Sequence, residues 1–145
     1  KYWITVAAKD HVMIGVNGNF CQLGHGKKAP VARLKPADWL TYYAPRTKLK
    51  GGDRVQAFVA LGQIKPGEPY KVKVSDEFLA WRRDVDYSKG EDAAIHPLLD
   101  KLSFIDDKRY WGIKFRRSLF EVNHDDFMII ASAMSLQLQT SKSPD

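Results

Sequence analysis

Cys21 and His25 are the first residues in this chain whose types and spacing suggest a reactive pair. A histidine near the chain's single cysteine could hold it as a thiolate, the form that attacks carbonyl or phosphoryl centres. Thiol enzymes also need a third group to orient the histidine, and none is identifiable here. Zinc chemistry finds no better footing, because one cysteine and four scattered histidines give no four-ligand spacing. The surrounding stretch, Asn17 to Lys28, holds Gly18, Gly24 and Gly26. Those glycines match neither a Walker A loop nor a dinucleotide fingerprint, and the stretch follows a predicted helix where both motifs follow a strand. Two acid pairs, Asp106/Asp107 and Asp125/Asp126, precede helical patterns, where negative charge suits the positive end of the helix dipole. They read as capping residues ahead of acid/base catalysts. No catalytic residue, metal ligand or cofactor is therefore expected, and the chain reads as a non-enzyme.

Binding is the remaining class. The glycines permit positive φ and close approach, while Phe20, Cys21 and Leu23 argue against disorder, so Asn17 to Lys28 reads as an ordered loop that offers its polar groups to a partner. A well-packed surface loop is the plain alternative. The formal charge is +6, and between Lys27 and Arg54 eight basic residues face two acids, Asp38 and Asp53. Elsewhere 15 basic residues are matched by 15 acids, so this window carries the whole excess. It fits the footprint of a polyanion, with Lys27, Lys28, Arg46, Lys48 and Lys50 as candidate phosphate contacts, or an ordinary solvated face. Aromatic residues (Trp3, Phe20, Tyr43, Tyr70, Trp81, Tyr110, Trp111) cluster near loop ends, interleaved with Arg and Lys, as in proteins that stack unpaired bases, although most must serve the core.

The elements that must position these groups are mostly strands. Tyr2 to Ala8 predicts a strand, with Trp3 near the core or a pocket wall, and Asp10 predicts the N-cap of a short helix that stops at Gly15. His11, on that helix, has no chemical role in this reading. Strands are predicted at Trp39 to Tyr43, ended by Pro45, at Val55 to Ile64, central because it is apolar on both faces, and at Tyr70 to Val74, half exposed. From Phe78 to Tyr87 the alternation puts Arg83 on the apolar face, where a structural salt bridge is the expected partner. His96 to Leu102 predicts a short helix, Asp106 to Gly112 a capped turn closed by glycine, Ser118 to Val122 a last strand, and Asn123 the cap of a final helix with an apolar stripe at Phe127, Ile130, Ala131 and Met134. The strand spacing predicts an α+β fold, a small mixed β-barrel of five to six strands flanked by short helices. Residues 1–136 are expected to form one domain and 137–145 a flexible tail. No apolar run approaches the roughly 20 residues of a membrane-spanning helix. A single cysteine, with no secretory pattern at the start, predicts a reducing, cytoplasmic setting. A monomer is assumed.

The order Tyr2-Trp3-Ile4, then Gly18 to Lys27, then Leu34-Lys35-Pro36-Ala37-Asp38-Trp39, then Leu102 to Gly112 resembles the EVE domain family of the PUA-like superfamily. The resemblance runs from Tyr2 to about Met134. It implies a PUA-like barrel with a pocket for a base, a modified one, of DNA or RNA. YTH domains, readers of methylated adenine in RNA, belong to the same superfamily, and Phe20-Cys21 with His25-Gly26-Lys27-Lys28 is similar to their pocket loop. This likeness places Phe20 in an aromatic cage and Cys21 at the base edge, with Trp3, Asn19, Gln22, His25, Gly26, Lys27, Tyr70, Arg109 and Trp111 as further ligand-binding candidates. The chain departs from the YTH pattern in carrying Phe where that family has Trp. It also has Val6-Ala7-Ala8-Lys9 where another EVE branch has Lys-Ser-Glu-Pro. A free small molecule or nucleotide in the same pocket is the second reading.

Overall fold

A computed structural model describes residues 1–138. The chain folds around one curled, half-barrel sheet whose strands alternate their side chains between two separate cores. β1 (Tyr2–Val6) runs parallel to β3 (Trp39–Arg46) and antiparallel to β8 (Leu119–Val122). β3 pairs with β4 (Arg54–Ile64), and β4 with β6 (Phe78–Ser88), which carries the two-residue β2 (Phe20–Cys21) at one edge and β5 (Tyr70–Ser75) alongside. A second short strand, β7 (Ala93–Ala94), joins β4. The order along the main path is β2-β6-β4-β3-β1-β8. Six longer strands agree with the five to six read from the pattern, and β2 and β7, too short to show an alternation, bring the total among the described residues to eight.

Both faces of the central strands are covered, which explains their continuous apolar runs. On one face Trp3, Leu40, Tyr42 and Ala44 pack with Val12 of α1 (Lys9–Gly18) and Val31 of α2 (Lys28–Arg33). On the other, Ile4, Tyr43 and Phe58 pack with Phe127, Ile130, Ala131 and Met134 of α3 (His124–Ala133). Asn123 caps α3 by accepting the Asp126 amide at 2.8 Å. Asp126 does not cap. It is buried and accepts from the Ser103 amide at 2.9 Å and hydroxyl at 2.6 Å, tying the 103 loop to the helix. Asp107 does cap, accepting from the Arg109 amide at 2.9 Å.

Several boundaries differ from the sequence expectation for identifiable reasons. α1 starts at Lys9 with no side-chain cap, and it passes through Gly15 to end at Asn19, whose φ of 59° closes it in the left-handed region. Gly15 serves packing: an added Cβ would lie 2.6 Å from the Phe20 carbonyl oxygen. β3 continues through Pro45 because its pairing with β4 is already irregular between Ala44 and Arg46, where no ladder N–H is required. β5 is exposed along nearly its whole length, as an edge strand can be. The helical residues of the 96–102 segment are His96–Leu98 alone, a single 3-10 turn. The turn at 106–112 runs on past Gly112, as a 3-10 segment over Lys108–Arg116 kinked at Tyr110. Arg83 is buried with no carboxylate within ion-pair distance among the described residues; its Nη2 donates to the Gly67 carbonyl at 2.7 Å and its Nε has no partner. The expected salt bridge is replaced by a backbone dipole. Of the expected tail, residues 139–145 lie outside the described part.

Candidate functional site

The stretch between Asn17 and Lys28 is built in pieces. Tyr87 donates its hydroxyl to the Phe20 carbonyl at 2.9 Å, and the Val85 amide donates to the Asn19 carbonyl at 3.0 Å, so β2 is pinned between α1 and β6. Beyond it Gly24, His25 and Gly26 all take positive φ, at 53°, 61° and 81°. Such a run is strained at a non-glycine residue. Gly26 is buried against β6, where an added Cβ would meet the Ala80 Cβ at 2.9 Å, so the turn cannot slide away. His25 is left exposed at its tip.

That turn forms one wall of a cleft of 770 Å³, within the range of ordinary small-ligand pockets. The end of β1, α1, the 22–27 segment, β3, the 47–49 loop and the 116–118 segment all border it. Val6, Ala7, Leu23 and Tyr42 supply apolar surface, with Ile14 and Leu49 exposed at the margin. The polar groups are more telling. Thr5 is committed, donating to the Ser118 carbonyl at 2.6 Å. His11 Nε2 lies 3.1 Å from the Gln22 carbonyl, and since a carbonyl only accepts, Nε2 carries the proton. Gln22 accepts from Arg82 Nε at 3.0 Å through its side-chain oxygen. Its amide nitrogen has no protein partner among the described residues, nor has the Asp10 carboxylate, and Lys27, Lys48 and Arg116 make no ion pair there. The cleft therefore offers free donors, one free carboxylate and an apolar floor.

Of the residues singled out from the sequence, Gln22, His25, Lys27 and Lys48 meet in this cleft. The others do not line it. Trp3 is core, its Nε1 donating to buried Asp38 at 2.9 Å; Asp38 also accepts the Lys35 amide at 2.9 Å, which accounts for the Leu34-to-Trp39 motif. Phe20 is half-buried under the Arg82 guanidinium, 3.9 Å from its ring centre. Cys21 is fully buried, and loss of hydration pushes its thiol up to about 12, against the partial pull of Arg83. A thiol so placed is neither ionised nor accessible, and it cannot act as a nucleophile. Asn19 caps α1 and Gly26 packs on β6. Tyr70 donates to Asp84 at 2.6 Å on the edge strand. Arg109 grips Asp107 through Nε at 3.3 Å and Nη2 at 3.1 Å, and Trp111 packs edge-on against Tyr43 and Phe115. Among the basic candidates, Lys28 sits 4.8 Å above the Trp81 ring, Arg46 donates to the Gly52 carbonyl at 3.2 Å, and Lys50 is exposed in the loop that follows β3.

In place of an aromatic cage, the rings at the cleft are Tyr42, His11 and His25. Burial lifts the Tyr42 hydroxyl far above the usual tyrosine range, so it stays protonated. Asp10, read from the sequence as an N-cap, lies inside α1 and lines the cleft, as does His11, which was given no chemical role; Arg116 was not picked out. The only local signal for Asp10 and His11 is the i, i+1, i+4 placement of Asp10, His11 and Ile14, which puts all three on one side of α1.

The EVE domain family model matches residues 1–133. A UPF0310 protein of Mycolicibacterium gilvum is 41% identical over 136 residues, covering 94% of this chain and 96% of that one. The UPF0310 protein YdcG of Bacillus subtilis is 39% identical over 138 residues, covering 95% and 94%. Among solved structures, a Pseudomonas syringae crystal structure superposes with a TM-score of 0.58 at 12% identity over 91% of this chain and 98% of that one. An NMR structure of a Rhodopseudomonas palustris protein gives 0.55 at 15% identity over 97% and 98%. At these identities the likeness to solved structures speaks for the fold alone, while the family match and the close relatives speak for descent: the chain belongs to the EVE domain family.

Proposed function

We propose that this protein is a non-catalytic nucleic-acid binding module that holds a modified base of DNA or RNA in the cleft between α1 and the 22–27 turn. The observation that carries the reading is the cleft's combination of parts. An apolar floor suits a flat heterocycle, free donors and an acceptor suit its edge, and Lys27, Lys48 and Arg116 at the margin suit the phosphates on either side. A base must leave its stack to enter such a cleft, so single strands or flipped bases are the substrates in view.

A free nucleotide or other small ligand is the second reading. It is favoured by the fate of the basic window, since Lys28 and Arg46 are engaged within the protein and only Lys27 and Lys48 reach the cleft. The test is a binding screen of single-stranded DNA and RNA oligonucleotides, each carrying one modified base, beside the matching free nucleosides. A modified oligonucleotide should bind more tightly than both its plain counterpart and the free nucleoside. Gln22→Ala should weaken that binding by about 0.5–1.5 kcal/mol, the usual worth of one hydrogen bond. Equal affinity for modified and plain strands sinks the reader, and a free nucleoside that binds as well as the strand favours the small-ligand sensor.

A further inference from the structure

On its Ser118 side the cleft adjoins a second groove, of 610 Å³, which takes in Arg33, Lys114 and Arg117. That groove shares Phe104 and Lys114 with a shallow depression of 160 Å³ beside Tyr110. Shared lining residues link the three in series, so that a channel along them would lead from the cleft past Ser118 and Lys114 to Tyr110. Its cations are available. Lys114, Arg116 and Arg117 have no carboxylate within 4.0 Å among the described residues, whereas Arg33 lies over the Trp3 ring at 5.0 Å, and Lys108 and Arg109 at the far end are paired with Asp100 and Asp107. Glu121, the acid of the middle groove, faces Lys1 Nζ at 3.7 Å. At the channel's end Tyr110 sits on the kink of the 3-10 segment and is 60% exposed, with Ile113 53% exposed beside it. One face of the Tyr110 ring lies under the Arg109 guanidinium, 5.6 Å from its centre, and a stacked, unpaired base would take the other face, with Lys114 the unpaired cation lining the same depression.

We propose that this channel carries the single-stranded polynucleotide leading away from the base in the cleft, with Lys114, Arg116 and Arg117 against phosphates and a neighbouring base stacked on Tyr110. The proposal rests on the reading of the cleft as a base site. It moves the strand's path away from the basic window read from the sequence and onto the segment before β8. From the kink at Tyr110 to Arg116 the 3-10 turns rise roughly 12 Å at about 2 Å per residue, and Arg117 and Ser118 carry the path on to the cleft. At the roughly 3.4 Å rise of a stacked strand, that path together with the base in the cleft is longer than a trimer.

The experiment uses unmodified (dA)12 and (rA)12 strands and the (dA)3 trimer, read by fluorescence anisotropy from 50 to 200 mM NaCl. The parent should bind a 12-mer far more tightly than the trimer, because the trimer cannot fill the channel. Lys114→Ala/Arg117→Ala should lower 12-mer affinity about tenfold and flatten the log–log salt slope by about 1.4, two single-strand phosphate contacts at roughly 0.7 each. Tyr110→Ala should cost roughly fivefold or more, and Tyr110→Phe should not. Lys71→Ala/Lys73→Ala on the outer strand β5 removes the same charge and should have little effect. Equal losses in that control, unchanged 12-mer binding in the Lys114/Arg117 variant, or no length dependence in the parent would each overturn the channel. If the channel variants bind 12-mers normally while the screen shows a modified-base preference, the channel is wrong and the cleft reading survives. If those variants lose 12-mer binding while the screen shows no preferred modification, the channel stands and the modified-base site falls.

Discussion

Gly15→Ala sets local helix propensity against tertiary packing, and the two predict opposite signs. Gly15 lies inside α1, where glycine is about 1 kcal/mol worse than alanine, so propensity alone predicts stabilisation. The packing says otherwise. A Cβ at this position would sit 2.6 Å from the Phe20 carbonyl oxygen and 3.7 Å from the Tyr87 hydroxyl, which donates to that same oxygen. The close contact falls roughly 1 Å short of a comfortable separation, so α1 and β2 must part. Overpacking of this kind costs about 1–3 kcal/mol, and weakening the Tyr87 bond adds about 1 kcal/mol. After the propensity gain the net loss is about 1–3 kcal/mol, a fall in Tm of roughly 3–10 °C for a domain of this size. Thermal unfolding followed by circular dichroism measures it directly. The same displacement moves Gln22, so cleft binding should weaken in the folded variant at a temperature well below its midpoint. An unchanged or higher Tm would refute the argument that Gly15 is there for the approach of β2.

Two further outcomes follow from the 20–26 segment. Cys21 should resist a thiol reagent such as DTNB in the native protein and react only on unfolding. Its pKa is raised from 9.0 to about 12 by burial, so its neutral thiol favours the fold fully below pH 9, and stability should fall as pH rises from 9 towards 12, by about 1.4 kcal/mol per pH unit for this group. Cys21→Ala should lessen that alkaline slope, measured by urea unfolding, and rapid native labelling at pH 8 would contradict the burial. His25→Gly releases a left-handed side-chain residue worth about 1–2 kcal/mol of strain, against about 0.5–1 kcal/mol of added unfolded-state freedom. It should therefore raise Tm slightly while weakening cleft binding, and a clear loss of stability would show that contacts of the imidazole outweigh the backbone strain.

The fold was legible wherever one strand carried its own pattern. Val55 to Ile64, apolar on both faces, could only be central, and it pairs with three other strands. The final helix announced itself through Asn123, whose side chain does cap it, and through the stripe that packs on Tyr43's side of the sheet. Sequence and structure part where a residue's usual local role is overruled by a neighbour distant in sequence. Glycine at 15 ends no helix because β2 needs room there, and Pro45 ends no strand because the ladder is already broken beside it. Asp126 has the position of a capping acid, yet Ser103, 23 residues away, claims it.

For the site, legibility followed contiguity. Gln22, His25 and Lys27 border the cleft as one continuous segment, so the glycine-rich stretch pointed to them. Asp10, Tyr42 and Arg116 reach the same cleft because β1 runs parallel to β3 and antiparallel to β8, which brings Val6 opposite Tyr43 and Thr5 opposite Leu119. No local periodicity reports such a register. Phe20 and Cys21 show the limit of a motif read one residue at a time. Neighbouring strand residues face opposite ways, so the register that buries Cys21 against Arg83 turns Phe20 outward, onto Arg82. Arg82 also holds Gln22 by its side-chain oxygen, and that bond leaves the amide nitrogen of Gln22 free in the cleft. Phe20 thus stands at one remove from the cleft: its ring lies under the arginine that holds the glutamine, and Phe20→Ala is expected to weaken binding in the proposed site only through Gln22, measured beside Gln22→Ala in the same oligonucleotide screen.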